Sequence, residues 1–154
     1  MTQEIKIVLV GDGGVGKTAF IRKISVGDIL IDKYIPTLGV EVLGIDVPLE
    51  NKSITCKVWD TAGVEEFSGM KEGYYVLADA CIIMADSSNK RAIDNMEKWE
   101  QGFREVVPNA KIVKVFNKVD KIEGDYKIGD ECYISVKDNS PQELLEVIKH
   151  AIKK

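Results

Sequence analysis

The 154-residue sequence has one histidine, four prolines, three cysteines and no surplus of basic residues. Each shortage removes a class of reading. Cys56, Cys81 and Cys132 are odd in number and sit in apolar, strand-like runs, so they give no disulfide framework and read as core thiols in a reduced compartment. Lys+Arg total 21 against 25 Asp+Glu, and the net charge of −4 with a pI near 5.1 argues against a general nucleic-acid binder. Met1-Thr2-Gln3 opens directly into a strand pattern, without a signal segment or a long apolar span. Thr2 stands where N-terminal acylation would need glycine, and Ile152-Lys153-Lys154 offers no terminal cysteine. These features predict a soluble monomer without a lipid anchor, cytoplasmic or nuclear. The length suits a single domain over 1–154, able to bury about 70% of its unfolded surface without metal or disulfide staples. His150 is placed on the polar side of the last helix with no partner that the sequence identifies, which sets histidine catalysis aside.

What is present centres on residues 11–18, Gly11-Asp12-Gly13-Gly14-Val15-Gly16-Lys17-Thr18, between the apolar run Ile5 to Val10 and a helical pattern carried by Phe20, Ile21 and Ile24. This spacing fits a phosphate-binding loop. Glycines let consecutive backbone N–H groups point into one concavity, and the following helix adds the positive end of its dipole. Lys17 is placed to reach β- and γ-phosphates, and the Thr18 hydroxyl to ligate magnesium.

The first helix is expected from Lys17 to about Val26, and Asp28 to Thr37 as a loop, having no steady period. Gly39–Leu49 and Ser53–Trp59 read as an antiparallel hairpin on one sheet edge. A phase change at Leu43-Gly44 there suggests a bulge at Gly44. Asp60-Thr61-Ala62-Gly63 follows the second strand, so Asp60 should face the phosphate site and reach magnesium; its competing role is a helix N-cap. Ala80–Ala85, a continuous apolar run, and Lys111–Phe116 read as buried strands. Between them a helix from about Arg91 to Val107 carries the stripe Ala92, Met96, Trp99, Phe103 and Val106, which reads as core. Asn117-Lys118-Val119-Asp120 then supplies an amide, a lysine and a carboxylate. Taken alone the stretch reads as an ordinary polar loop after a strand; beside a phosphate loop, Asp120 accepting from two adjacent ring donors favours guanine over adenine and disfavours an ATPase or kinase. Residues 121–130 read as loop and Glu131–Val136 as the last strand. Ser140-Pro141-Gln142-Glu143 opens a final helix with buried Leu144, Leu145, Ile148, Ala151 and Ile152.

In this order the motifs resemble those of a Ras-superfamily small GTPase over nearly the whole chain. Within it, Pro36 to Val42, Trp59 to Gly63, Gly73-Tyr74-Tyr75 and Ile82-Ile83-Met84 are most similar to the Ran branch, the nuclear transport type. The resemblance implies an α/β P-loop fold: a six-stranded, mostly parallel sheet with one antiparallel edge strand, helices on both faces, and GTP or GDP with Mg²⁺ at its carboxyl edge. It assigns phosphate contacts to Gly13, Gly14, Val15, Gly16, Lys17, Thr18 and Ala19, and flanking contacts to Leu30 and Tyr34. Base contacts fall to Asn117, Lys118, Asp120, Ser135, Val136 and Lys137, with the Val136 N–H reading the guanine oxygen. Thr18, Thr37 and Asp60 would serve the metal; Lys17, Thr37, Gly63 and position 64 would serve hydrolysis. Leu38–Val42 and Glu65–Tyr75 would be switch surfaces for effectors or regulators.

Three departures qualify this. Val64 stands where the family carries a water-orienting glutamine, so hydrolysis should be slow unless Glu65 or a partner substitutes. Leu30 replaces an aromatic ring beside the base, which weakens binding by roughly fivefold unless a register shift brings Ile29 or Ile31 there. Slow hydrolysis with eased exchange would bias the protein towards GTP; the extreme case is a scaffold that never hydrolyses it. Finally, fourteen residues between Asp120 and Ser135 are too few for the family's helix there, and no acidic tail follows the last helix.

Overall fold

Period-two and continuous apolar runs become strands, and the three- and four-residue stripes become helices that cover them. The computed structural model describes residues 4–12, 15–24, 30–35, 40–60, 71–118 and 126–153. In order these give β1 (Glu4–Val10), α1 (Lys17–Ile24), β2 (Leu30–Ile35), β3 (Val40–Pro48), β4 (Ser53–Asp60), α2 (Lys71–Tyr75), β5 (Ala80–Asp86), α3 (Lys90–Val106), β6 (Lys111–Asn117), β7 (Glu131–Tyr133) and α4 (Pro141–Ala151). One sheet has the order β2-β3-β4-β1-β5-β6-β7. Only β3 runs against its neighbours, antiparallel to both β2 and β4, and the remaining pairs are parallel. Helix α1 packs on α4 and α2 on α3, with α3 against β5 and β6, so both faces are covered. The chain reverses its winding sense between β1 and β5, which opens a crevice at their carboxyl ends.

The six expected strands are present, and Leu30–Ile35, read from the sequence as loop, adds a seventh that displaces β3 from the edge. Strand β3 leaves a row of N–H and C=O groups that a neighbouring segment satisfies whatever its side-chain period. The β2–β3 register shifts between Ile31 and Lys33, and this extra residue is what breaks the alternation. The bulge expected at Gly44 is absent from the β3–β4 ladder, which runs unbroken from Glu41 opposite Asp60 to Pro48 opposite Ser53. Leu43, Ile45 and Val47 enter the core, whereas Val42, opposite Trp59, is buried on the other face of the pleat. The apparent phase change is therefore a strand covered on both sides at one end.

Strand β7 ends at Tyr133, short of the expected Val136: the Ile134 N–H still reaches the Phe116 carbonyl of β6 at 2.9 Å, but the donors after it leave the ladder, the Ser135 N–H to Asn139 Oδ1 at 2.7 Å and the Val136 N–H to Asn117 Oδ1 at 3.0 Å. Helix α4 starts on the expected capping box, with Glu143 N–H to Ser140 Oγ at 3.1 Å and Ser140 N–H to Glu143 Oε1 at 2.9 Å. Its stripe centres on Val147, leaving Leu145 and Ile152 only partly buried. Residues 25–29, into which α1 was expected to extend, and 119–125 lie outside the described residues. All three cysteines are fully buried and reduced, and burial pushes the Cys56 thiol up to about 12, so none is poised to react at neutral pH. Among the described residues, no helix is long and apolar enough to cross a membrane.

Candidate functional site

The loop after β1 passes so close to neighbouring chain that two of its positions have no room for a side chain. A Cβ on Gly11, whose φ is +145°, would lie 2.2 Å from the Met84 carbonyl oxygen of β5; one on Gly16, at φ +101°, would lie 2.4 Å from Asn117 Nδ2. The first obstacle is strand backbone and cannot move aside. Gly11→Ala is expected to destabilise the fold by about 2–5 kcal/mol, combining overpacking with a strained φ, read as a lowered urea midpoint at unchanged slope.

Lys17, the first residue of α1, is 5% exposed and turns back to donate to the Gly11 carbonyl at 2.5 Å and the Asp12 carbonyl at 2.8 Å. Burial lowers its pKa from the ordinary lysine value, only partly opposed by the negative charges of Asp60 and Asp12. The pocket is thus short of negative charge around a buried cation. The Thr18 hydroxyl donates to Asp60 Oδ2 at 3.0 Å, and Asp60, the last residue of β4, is 4% exposed. A hydroxyl and a carboxylate oxygen meeting at one point are hard donors of the kind magnesium takes. Asp60 is thereby turned towards α1. Ala19 is exposed in the first turn, which closes through the Phe20 N–H to Gly16 C=O bond at 2.9 Å.

Asn117, the last residue of β6, is 2% exposed and joins two loops. Its Nδ2 donates to the Val15 carbonyl at 2.9 Å, and its Oδ1 accepts the Val136 N–H at 3.0 Å. The Val136 N–H, assigned from the resemblance to a guanine oxygen, is here spent on the asparagine, so the two groups expected at the base form a bracket within the protein. Ser135 is buried and accepts the Asp138 N–H at 3.2 Å, while Lys137 is exposed. Lys23 of α1, which the sequence reading did not single out, donates to the carbonyls of Val136 at 2.6 Å and Lys137 at 3.1 Å. Lys118 has φ +63° and reaches Asp86 Oδ2 at 3.1 Å. Burial raises the Asp86 pKa, but bonds from the Ser88 hydroxyl (2.6 Å) and N–H (2.9 Å) together with Lys118 outweigh it and hold the carboxyl below its usual range.

A second anchor escaped the sequence reading. Asp12 accepts Trp99 Nε1–H at 2.9 Å and Asn95 Nδ2–H at 2.7 Å, tying the loop to α3. Trp99 does lie in the core stripe as expected, at 7% exposure, but its indole N–H has this separate task. The signal available was an asparagine four residues before a tryptophan, which places both polar tips on one helix face.

Of the remaining expected site residues, Gly13, Gly14, Thr37, Gly63, Val64 and Asp120 lie outside the described residues. Leu30 and Tyr34 belong to β2, in register with Gly44 and Glu41 rather than in a loop. In the expected switch surface Glu65–Tyr75, the Tyr74 and Tyr75 side chains are 1% and 2% exposed, packed edge to face with each other and, through Tyr75, with Phe103 of α3. They are core, because α2 has no other large apolar side chains with which to hold itself to α3. His150, for which the sequence identifies no partner, has one: its Nε2 lies 2.8 Å from Asp130 Oδ1.

In comparisons with known proteins, the sequence model of the Ras family matches residues 6–149 of the chain.

Proposed function

The chain belongs to the Ras family, and from that premise we propose that it is a guanine-nucleotide switch of the Ran type whose intrinsic GTP hydrolysis is slow. The observation that carries the reading is the meeting of Lys17, Thr18 with Asp60, and Asn117 at the carboxyl edge of one sheet. Lys17 would neutralise the terminal phosphates, and the glycine-rich turn, with Gly13 to Ala19, would cradle them. Thr18, Asp60 and Thr37 would hold Mg²⁺, which supplies charge neutralisation across the phosphates. Asp120 would read the base edge, beside Lys118, Ser135 and Lys137. Thr37 and Gly63 would order the switch loops around the γ-phosphate, presenting the segment that leads into β3 and the segment from Glu65 to α2 to effectors. A cytoplasmic or nuclear setting fits this role.

Val64 has neither donor nor acceptor to position an attacking water, and transfer of a phosphoryl group is catalysed almost wholly by positioning and electrostatics. Single-turnover phosphate release from preloaded GTP with magnesium is expected to be slow, and at least about tenfold faster in Val64→Gln. Equal and appreciable rates would mean that another residue positions the water. The same valine favours a second reading, a GTP-holding scaffold with a fixed effector surface; no release from either protein would select it.

A further inference from the structure

At the opposite end of the sheet from the phosphate loop lies a cavity of about 670 Å³, a size that suits a small organic ligand. Its floor is aliphatic: Ile5 and Ile54 at the amino ends of β1 and β4, Leu49 from the β3–β4 turn, Ile128, and Ile152 from the end of α4. The turn is fixed by the Leu49 N–H to Lys52 C=O bond at 2.7 Å. The rim is cationic, with Lys52, Lys149 and Lys153 against the single carboxylate Glu146. Glu146 meets Lys149 at 3.4 Å as an exposed pair one helical turn apart, a weak contact in water. Among the described residues no carboxylate pairs with Lys52 or Lys153.

The end of α4 would ordinarily repel an anion, since its last carbonyls carry partial negative charge. Lys111 Nζ covers them, donating to the His150 carbonyl at 2.8 Å and the Lys153 carbonyl at 3.3 Å. The His150 ring, also in the lining, is held by Asp130 at 2.8 Å. In a chain of net charge −4 this local excess of positive charge around an apolar floor has a specific complement. We propose that the cavity binds a small amphiphile with an aliphatic tail and an anionic head, the tail on the isoleucine floor and a carboxylate or phosphate at the lysine rim. The site is separate from the nucleotide edge and does not depend on what binds there.

The test is titration of the full chain with octanoate, octyl phosphate, 1-octanol and inorganic phosphate, each surfactant below its micellar range, followed by amide chemical shifts. Saturable shifts are expected for Ile5, Ile54, Ile128 and the last turn of α4 with octanoate or octyl phosphate, and the tighter of the two identifies the head. Inorganic phosphate alone should leave these amides unmoved. Lys52→Glu with Lys149→Glu should weaken the two anionic probes about tenfold or more while changing 1-octanol less than twofold. Ile128→Trp, which fills the floor, should abolish all binding there. Absence of saturable shifts at these residues, or anionic binding indifferent to the charge reversal, would overturn the proposal.

Discussion

Asn117→Ala is expected to lower stability by about 2–5 kcal/mol and the melting temperature by about 5–15 °C, with nucleotide affinity falling alongside. The amide satisfies two buried or half-buried backbone groups at once, the Val15 carbonyl and the Val136 N–H, on loops that belong to opposite ends of the sequence. Alanine leaves both without a partner, and each orphaned group costs about 1–3 kcal/mol. Asn117→Asp separates the two bonds. It keeps an acceptor for Val136 but sets a carboxylate oxygen against the Val15 carbonyl, so it should be no better than alanine in holding the phosphate loop while retaining the 135–139 turn. Thermal melts of the three proteins, with protection of the Val136 amide from hydrogen exchange, distinguish the halves of the bracket. A melting temperature for Asn117→Ala within 2 °C of the natural protein would show that water replaces the amide at no cost.

The same residue shows where the sequence was legible and where it was not. A β6 strand delivering an asparagine to the carboxyl edge followed from the apolar run and the motif after it. That the asparagine first binds the protein did not, because two bonds spanning 102 and 19 residues leave no local pattern. Strand β2 was missed for a related reason. Its partner is an open edge rather than a periodic surface, and an extra residue at the Ile31–Lys33 step erases the alternation that would have announced it. Helices α3 and α4 were legible nearly to the residue because their caps are local, Asn89 to the Ala92 N–H and the Ser140–Glu143 box. Trp99 was half legible: its burial followed from the stripe, but its indole N–H on Asp12 required knowing that α3 lies beside the phosphate loop.

Lys17→Met is expected to weaken guanine-nucleotide binding by about 10²–10⁴-fold, since charge-assisted bonds are worth about 1.5–3 kcal/mol each and the proposed function gives the lysine two phosphates to meet. Methionine fills similar space, so lost affinity would not simply reflect a cavity. A second measurement isolates the charge. In the nucleotide-free protein burial lowers the Lys17 pKa below its unfolded value of 10.5, with Asp60 and Asp12 opposing. Between the lowered native value and 10.5 the unfolded chain binds more protons than the folded one, so this group makes stability rise with pH across that window. Below the native value the lysine is charged in both states and its burial is a constant penalty. Urea midpoints of the nucleotide-free protein up to pH 10.5 should therefore carry a rising contribution that Lys17→Met removes. Bound polyphosphate supplies the missing negative charge, raises the native pKa and should erase the same contribution without any mutation. If the nucleotide-free midpoints of the natural protein and Lys17→Met run parallel over that range, the native lysine titrates as it does in the unfolded chain, its burial fully offset by Asp60 and Asp12 before any phosphate arrives.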